Sequence, residues 1–225
     1  PLAIILASKS LRVVAFDTNG QVVAKVNSGE MPFDEPGASD VLTKVLATKT
    51  FSASSDRKVV SDAEHVVVVI GTPVDEHLNP DPEAVPNAVV SLLDVLKDGQ
   101  HLVLRSTVYP GVTKLVEKVI ANSGKKIDVS FCPERIAEGK AVEELIALPQ
   151  IISARTTVAV ERAKKLFSCL TTNVIVVSPE EAELAKLFTN TWRYIKFAAA
   201  NQLYTIANDF GVDFERVRNA ITHDY

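Results

Sequence analysis

"RVVAFDTNG", residues 12–20, decides how the chain is to be read. A β-branched run that ends on an acid, Asp17, and continues into Thr-Asn-Gly has the form of the second strand of a dinucleotide-binding unit, where the acid holds the adenosine ribose. Such a unit opens on a glycine-rich turn, and the residues ahead of Arg12 contain none. The preceding "PLAIILASK" has instead the character of a helix interior without a capping residue before it. From position alone, Asp17 is equally well a turn or helix-capping acid.

Working outward, short β-branched runs alternate with amphipathic stretches, the pattern of a parallel sheet wrapped by helices. The strands expected are "LRVVAFD", a weak "TFSAS", "EHVVVVIGT", "HLVLRST", "KIDVSFC", "QIISA" and "NVIVVS". Continuous apolar runs such as residues 66–70 predict strands buried on both faces. Helices are expected near 20–28, 38–48, 81–97, 110–123 and 156–168.

After Ser178 the rhythm changes. Residues 179–210 contain no internal glycine or proline and read as one long helix, roughly 45 Å at 1.5 Å per residue. Ser178 is its expected N-cap, Pro179 suits the first turn, Glu181 stands at the capping-box position, and Gly211 closes the end. Asp213 should then cap a short helix through "FERVRNAITH". The organisation expected is an α/β domain over 1–178 and an all-α segment over 179–225. A helix longer than an α/β layer requires is expected to pack against a second subunit or a further domain.

Composition narrows the partners. The chain of 225 residues is 47% hydrophobic and 23% charged, with a formal net charge of -4. That balance argues against nucleic acid, whose phosphates call for clustered lysine and arginine. The apolar runs fall short of the ~20 residues that span a bilayer, so no membrane partner is expected. Cys132 and Cys169 have neither metal-ligand spacing nor the makings of a disulfide framework, which fits a reducing cytoplasm and no metal.

In an open parallel sheet the ligand lies beyond the carboxyl ends of the strands. The residues expected there are Asp17, Gly71-Thr72-Pro73, Ser106-Thr107, and Cys132-Pro133-Glu134-Arg135. "YPGVT" sets a helix N-terminus just after a strand, a geometry that favours an anion or a polar cofactor group. Cys132 follows an apolar run and reads as a buried small residue rather than a nucleophile. The charged stretch "PERIAEGKAVEEL" reads as a functional loop. On the long helix Lys186 and Asn190 share a face among apolar neighbours, with Glu183 one turn before Lys186.

Taken in order, "PLAIILASKSLRVVAFDTN", "GEMPFDEPG", "TPVDEHLNPDP", "RSTVYPGVT", "CPERIAEGKAVEEL" with "LPQII", and "AELAKLFTNTWRYIKFAAANQL" resemble the UDP-glucose/GDP-mannose dehydrogenase family across essentially the whole chain. The resemblance implies a Rossmann-type sheet whose glycine turn and first strand precede Pro1, followed by a central helical dimerisation segment. It implies NAD as cofactor, with Asp17 on the adenosine ribose and Thr72, Pro73, Thr107 and Glu134 lining the cofactor cleft. It implies that Glu134 orders water, that Arg135 meets the sugar, and that Lys186 and Asn190 hold the oxyanion or water at the reacting carbon, with Thr107 beside them.

Members of that family oxidise the C6 alcohol of a nucleotide sugar to a carboxylate through a covalent cysteine, and neither Cys132 nor Cys169 matches that cysteine's position. "PERI" followed by "GKA" resembles the branch acting on UDP-N-acetylhexosamines such as UDP-N-acetylmannosamine. Val22 departs from the basic residue many members carry after the ribose-binding acid. The expectation is an NAD-dependent UDP-sugar 6-dehydrogenase that forms a homodimer through the long helix, the 225 residues alone showing no turnover. The rivals are a β-hydroxyacid dehydrogenase, which also bears a Lys-x-x-x-Asn pair on a long helix, and a non-catalytic dimerising or binding module.

Overall fold

The computed structural model describes residues 1–71, 76, 81–137 and 139–223, and the chain divides into two compact units, Pro1–Leu184 and Ala185–Tyr225. The first unit is α/β. Helix α1 (Leu2–Ser8) leads into strand β1 (Val13–Phe16), helices α2 (Gly20–Asn27) and α3 (Ala38–Ala47), and β2 (Phe51–Ser54). A 3-10 turn (Arg57–Asp62) precedes β3 (His65–Val68), α4 (Ala84–Val90), β4 (His101–Leu104), α5 (Val112–Asn122) and β5 (Asp128–Phe131). Then come α6 (Ala141–Ala147), β6 (Gln150–Ala154), α7 (Thr157–Phe167), β7 (Val174–Val177), the long α8 (Pro179–Asp209) and α9 (Phe214–Thr222).

All seven expected strands form. They make a parallel pair, β1-β2, and a five-stranded sheet in the order β3-β4-β5-β6-β7. Every pairing is parallel except β5 with β6, which run antiparallel with Phe131 opposite Ser153. That reversal brings Gln150, at the start of β6, beside the chain leaving β5. Residues 102–104 of β4 are sealed from water, as a strand covered on both faces must be.

One apolar core joins the two sheets. Ile4, Ile5 and Leu6 of α1 pack with Leu42 and Val45 of α3, Phe51 of β2, Val103 of β4, Ile152 of β6 and Phe167 of α7. Burying each such side chain is worth about 1.5–3 kcal/mol. Helix α1 has four consecutive buried residues, which explains why its sequence shows no polar face.

Two local contacts set edges and ends. Thr50 and Ser54 carbonyls accept from Val13 and Asp17 of the β1 side, so Ala53 faces away from β1. There the Asn27 side chain bonds both Ala53 groups, Nδ2 donating to the carbonyl and Oδ1 accepting from the N–H, each at 2.8 Å.

At Ser178 the capping box forms, with the Ser178 N–H on Glu181 Oε2 at 2.7 Å and the Glu181 N–H on Ser178 Oγ at 3.3 Å. Asp213 caps α9 through the Glu215 N–H at 2.9 Å. The helix expected over 81–97 is shorter, Ala84–Val90, with turns following it. No helix among the described residues is long and apolar enough to cross a membrane.

Candidate active site

The polar residues expected at the carboxyl ends of the strands lie there, apart from Thr72 and Pro73, which fall outside the described residues. Asp17 follows β1 and is exposed. Its N–H bonds the Ser54 carbonyl at 3.1 Å, and its Oδ1 accepts the Asn19 N–H at 2.8 Å. Asn19 in turn caps α2, accepting from Gln21 at 3.0 Å. The acid therefore has a fixed backbone and one engaged oxygen.

At the ends of β3 and β4, Ser106 Oγ donates to the Ile70 carbonyl at 2.7 Å, which holds the two exits together. Thr107 is half-buried beside it.

Beyond β5 the chain becomes charged, and Glu134 and Arg135 are both engaged. Glu134 Oε2 accepts from Nη2 of Arg105, a residue at the end of β4 whose side chain is 1% exposed against 25% for Glu134. Glu134 Oε1 accepts the Arg135 backbone N–H at 3.0 Å, and the Arg135 guanidinium donates to the Pro149 carbonyl. Cys132 is fully buried, and burial pushes its thiol up to about 11, with the Arg105 guanidinium opposing. It is a core thiol, as its apolar run predicts.

The stretch "PERIAEGKAVEEL", expected as a loop, enters helix α6 at Ala141. Glu35, 7% exposed, accepts the N–H groups of Gly139 at 3.0 Å and Ala141 at 2.8 Å at that helix's start. Glu144 Oε2 takes the Ala137 N–H at 2.6 Å. Arg105 and Glu35 are the residues sequence reasoning missed. "GEMPFDEPG" carried Glu35 only as part of a block, and "HLVLRST" gave no sign that its arginine turns inward.

The helix N-terminus at "YPGVT" corrects another expectation. Rather than standing ready for an anion, it is occupied by Glu183 of the first turns of α8, whose Oε2 accepts from Gly111 at 2.7 Å and Oε1 from Thr113 at 2.8 Å. Glu183 is 1% exposed. Lys186 and Asn190 stand in the second unit on α8, one turn apart, Lys186 buried and Asn190 half-buried. Among the described residues no group of three or more His, Cys, Asp or Glu side chains is disposed to hold a metal ion.

The family model described as UDP-glucose/GDP-mannose dehydrogenase family, NAD binding domain, matches residues 1–171, and the central domain of the same family matches 180–225. The UDP-N-acetyl-D-mannosamine dehydrogenase of Methanococcus maripaludis (strain C7) is 30% identical over 218 residues, covering 95% of this chain and 50% of that protein. The Escherichia coli K12 protein of that name is 31% identical over 237 residues, covering 99% and 56%.

Among solved structures, the UDP-D-ManNAc dehydrogenase of Pyrococcus horikoshii superposes with a TM-score of 0.89 at 27% identity, covering 99% of this chain and 55% of that one. The GDP-mannose dehydrogenase of Pseudomonas aeruginosa gives 0.88 at 26%, covering 98% and 53%. A 3-hydroxyisobutyrate dehydrogenase from Salmonella typhimurium, at 16% identity and 0.67, shares the fold alone. The chain spans about half the length of the curated relatives it matches.

Proposed function

The chain belongs to the UDP-glucose/GDP-mannose dehydrogenase family, and on that premise we propose that it carries NAD-binding and central-domain residues of an enzyme that oxidises the C6 alcohol of a UDP-sugar to the carboxylate. The sugar proposed is UDP-N-acetylmannosamine, the substrate named in the relatives that are about 30% identical. The division proposed is 1–178 for the NAD-binding part and 179–225 for the central part, supported by family matches that end at 171 and resume at 180. The observation that carries the reading is that this two-part match coincides with Asp17, Thr107 and Glu134 at the carboxyl ends of β1, β4 and β5.

The cofactor site would supply the hydride acceptor, one NAD for each of two successive oxidations at C6, alcohol to aldehyde and aldehyde level to acid. This chain's residues would bind and orient. Asp17, exposed and anchored through Asn19, would accept hydrogen bonds from the adenosine ribose hydroxyls. Thr72, Pro73 and Thr107 would line the cofactor cleft. Glu134 would order the water that enters at the acid stage, and Arg135 would face the sugar. Lys186 and Asn190 would stabilise the oxyanion. Cys132, sealed and with its thiol pushed up to about 11, does not suit a nucleophile's part.

A homodimer is proposed through α8, whose Phe188, Trp192, Tyr194 and Phe197 are each more than half exposed. Phe188 and Trp192, four apart, share one side of the helix and Tyr194 and Phe197, three apart, share another, and exposed apolar side chains so grouped mark interaction faces. A reducing cytoplasm is proposed because both cysteines are free.

The test is stoichiometric. NADH formed per UDP-N-acetylmannosamine consumed by the complete polypeptide should be two. One would mark a single oxidation, as in the β-hydroxyacid dehydrogenases, and none with any UDP-sugar would overturn the proposal.

A further inference from the structure

We infer that Arg105 is the positioning residue of this site: its buried guanidinium fixes where the Glu134 carboxylate stands. The inference rests on the reading of Glu134 given above and adds to it the residue that aims that carboxylate.

The pair is lopsided, one end sealed at 1% exposure and the other at the rim at 25%. The sealed end cannot wander. The ring of Phe167, at the end of α7, has its centroid 4.8 Å from the Arg105 guanidinium carbon, and Gln150 Oε1, from the antiparallel β6, accepts from Nη1 at 3.4 Å. Both contacts come from elements that do not carry Glu134, so the guanidinium is aimed independently of the loop it holds.

On the rim side both carboxylate oxygens are engaged, Oε2 by Arg105 and Oε1 by the Arg135 backbone N–H. The guanidinium meets the carboxylate through Nη2 while Nη1 holds Gln150, and a rigid plane that spans both partners sets the direction of approach, which an ammonium does less well. Turning Glu134 away would strand a buried cation, so the pair resists rotation. The Glu134 N–H also reaches the Arg105 carbonyl at 3.4 Å, tying the two backbones.

The Arg135 amide is a built-in reporter, because it is hydrogen-bonded to the carboxylate in question. The Ala137 amide, bonded to Glu144 instead, is the control. Hydrogen exchange on the chain should show the Arg135 amide at least tenfold faster in Arg105→Met, with Ala137 within twofold of its native rate, and Arg105→Lys in between. An unchanged Arg135 rate overturns the inference. So does equal acceleration of both amides, which would make Arg105 a general support of the loop.

In the complete polypeptide, Arg105→Met should lower kcat at least tenfold with KM for NAD within twofold, and adding Glu134→Ala should cost less than a further twofold. Full kcat in Arg105→Met, or additive losses, would also overturn it. If the unsubstituted protein turns over no nucleotide sugar, the proposed reaction fails, and the exchange rates still decide for or against Arg105.

Discussion

Glu183 closes the start of the helix that begins at Val112: its two carboxylate oxygens accept the N–H groups of Gly111 and Thr113 at 2.7 and 2.8 Å. The first turns of α8 are held further by Arg155, which pairs with both Glu180 and Glu117. A negative group on these donors satisfies orphan N–H groups and meets the positive end of the helix dipole.

Glu183→Ala should therefore destabilise the first unit by about 2–4 kcal/mol, since two charge-assisted bonds are lost and buried donors are left open. Urea unfolding measures it. A loss below about 1 kcal/mol would mean water or another group replaces the cap.

Acid should weaken the fold through His101. Its Nδ1 lies 2.9 Å from Nδ1 of His65, its Nε2 is 2.8 Å from Ser130 Oγ, and the ring is fully buried. Burial, with His65 and Arg162 beside it, lowers its titration from 6.5 to about 4, against the pull of Asp128. The unfolded chain then binds the extra proton below pH ~6.5 while the folded chain does not, so stability is full above that pH and falls until about pH 4. The loss is on the order of 3 kcal/mol. Urea midpoints at pH 7 and pH 4.5 should converge in His101→Gln, and a slope as steep as in the native chain would count against this assignment.

Asp17→Asn should weaken NAD binding by roughly 10–100-fold, equivalent to one or two charge-assisted bonds to the ribose. Melting temperature should barely move, because Asp17 is exposed and Asn preserves the acceptor for the Asn19 N–H. Titration followed by NADH fluorescence checks the affinity and a thermal melt the stability; unchanged affinity would remove Asp17 from the cofactor site.

Trp192 is the chain's single tryptophan and is 60% exposed. If α8 pairs two copies, its emission should shift to the red on dilution, and Trp192→Ser should weaken the dimer by about 2 kcal/mol or more. Sedimentation velocity showing monomer at all concentrations would sink the dimer.

The strands were legible because β-branched runs between turn residues are local signals, and so were the Ser178 and Asp213 caps. What the sequence hid depends on distant partners. Helix α6 is only seven residues long, and the carboxylate capping it belongs to Glu35, 104 positions before Gly139. "QIISA" has the same pattern whichever way it runs, so the antiparallel turn of β6 and its delivery of Gln150 to Arg105 could not be read. Of the candidate site, the strand-end positions of Asp17, Thr107 and Glu134 followed from strand order. The inward turn of Arg105 did not, since a buried arginine is recognisable only once Glu134 and Phe167 are seen around it.

Asn27 has a consequence for how this protein behaves among its own copies. Its amide supplies one donor and one acceptor to Ala53, the same pair of groups that a neighbouring strand would offer. The outer flank of β2 is thereby blocked as a template for edge-to-edge aggregation. Only an amide can do this: deamidation to aspartate would delete the donor and set an oxygen against the Ala53 carbonyl, so chemical ageing at this one residue would unblock the edge.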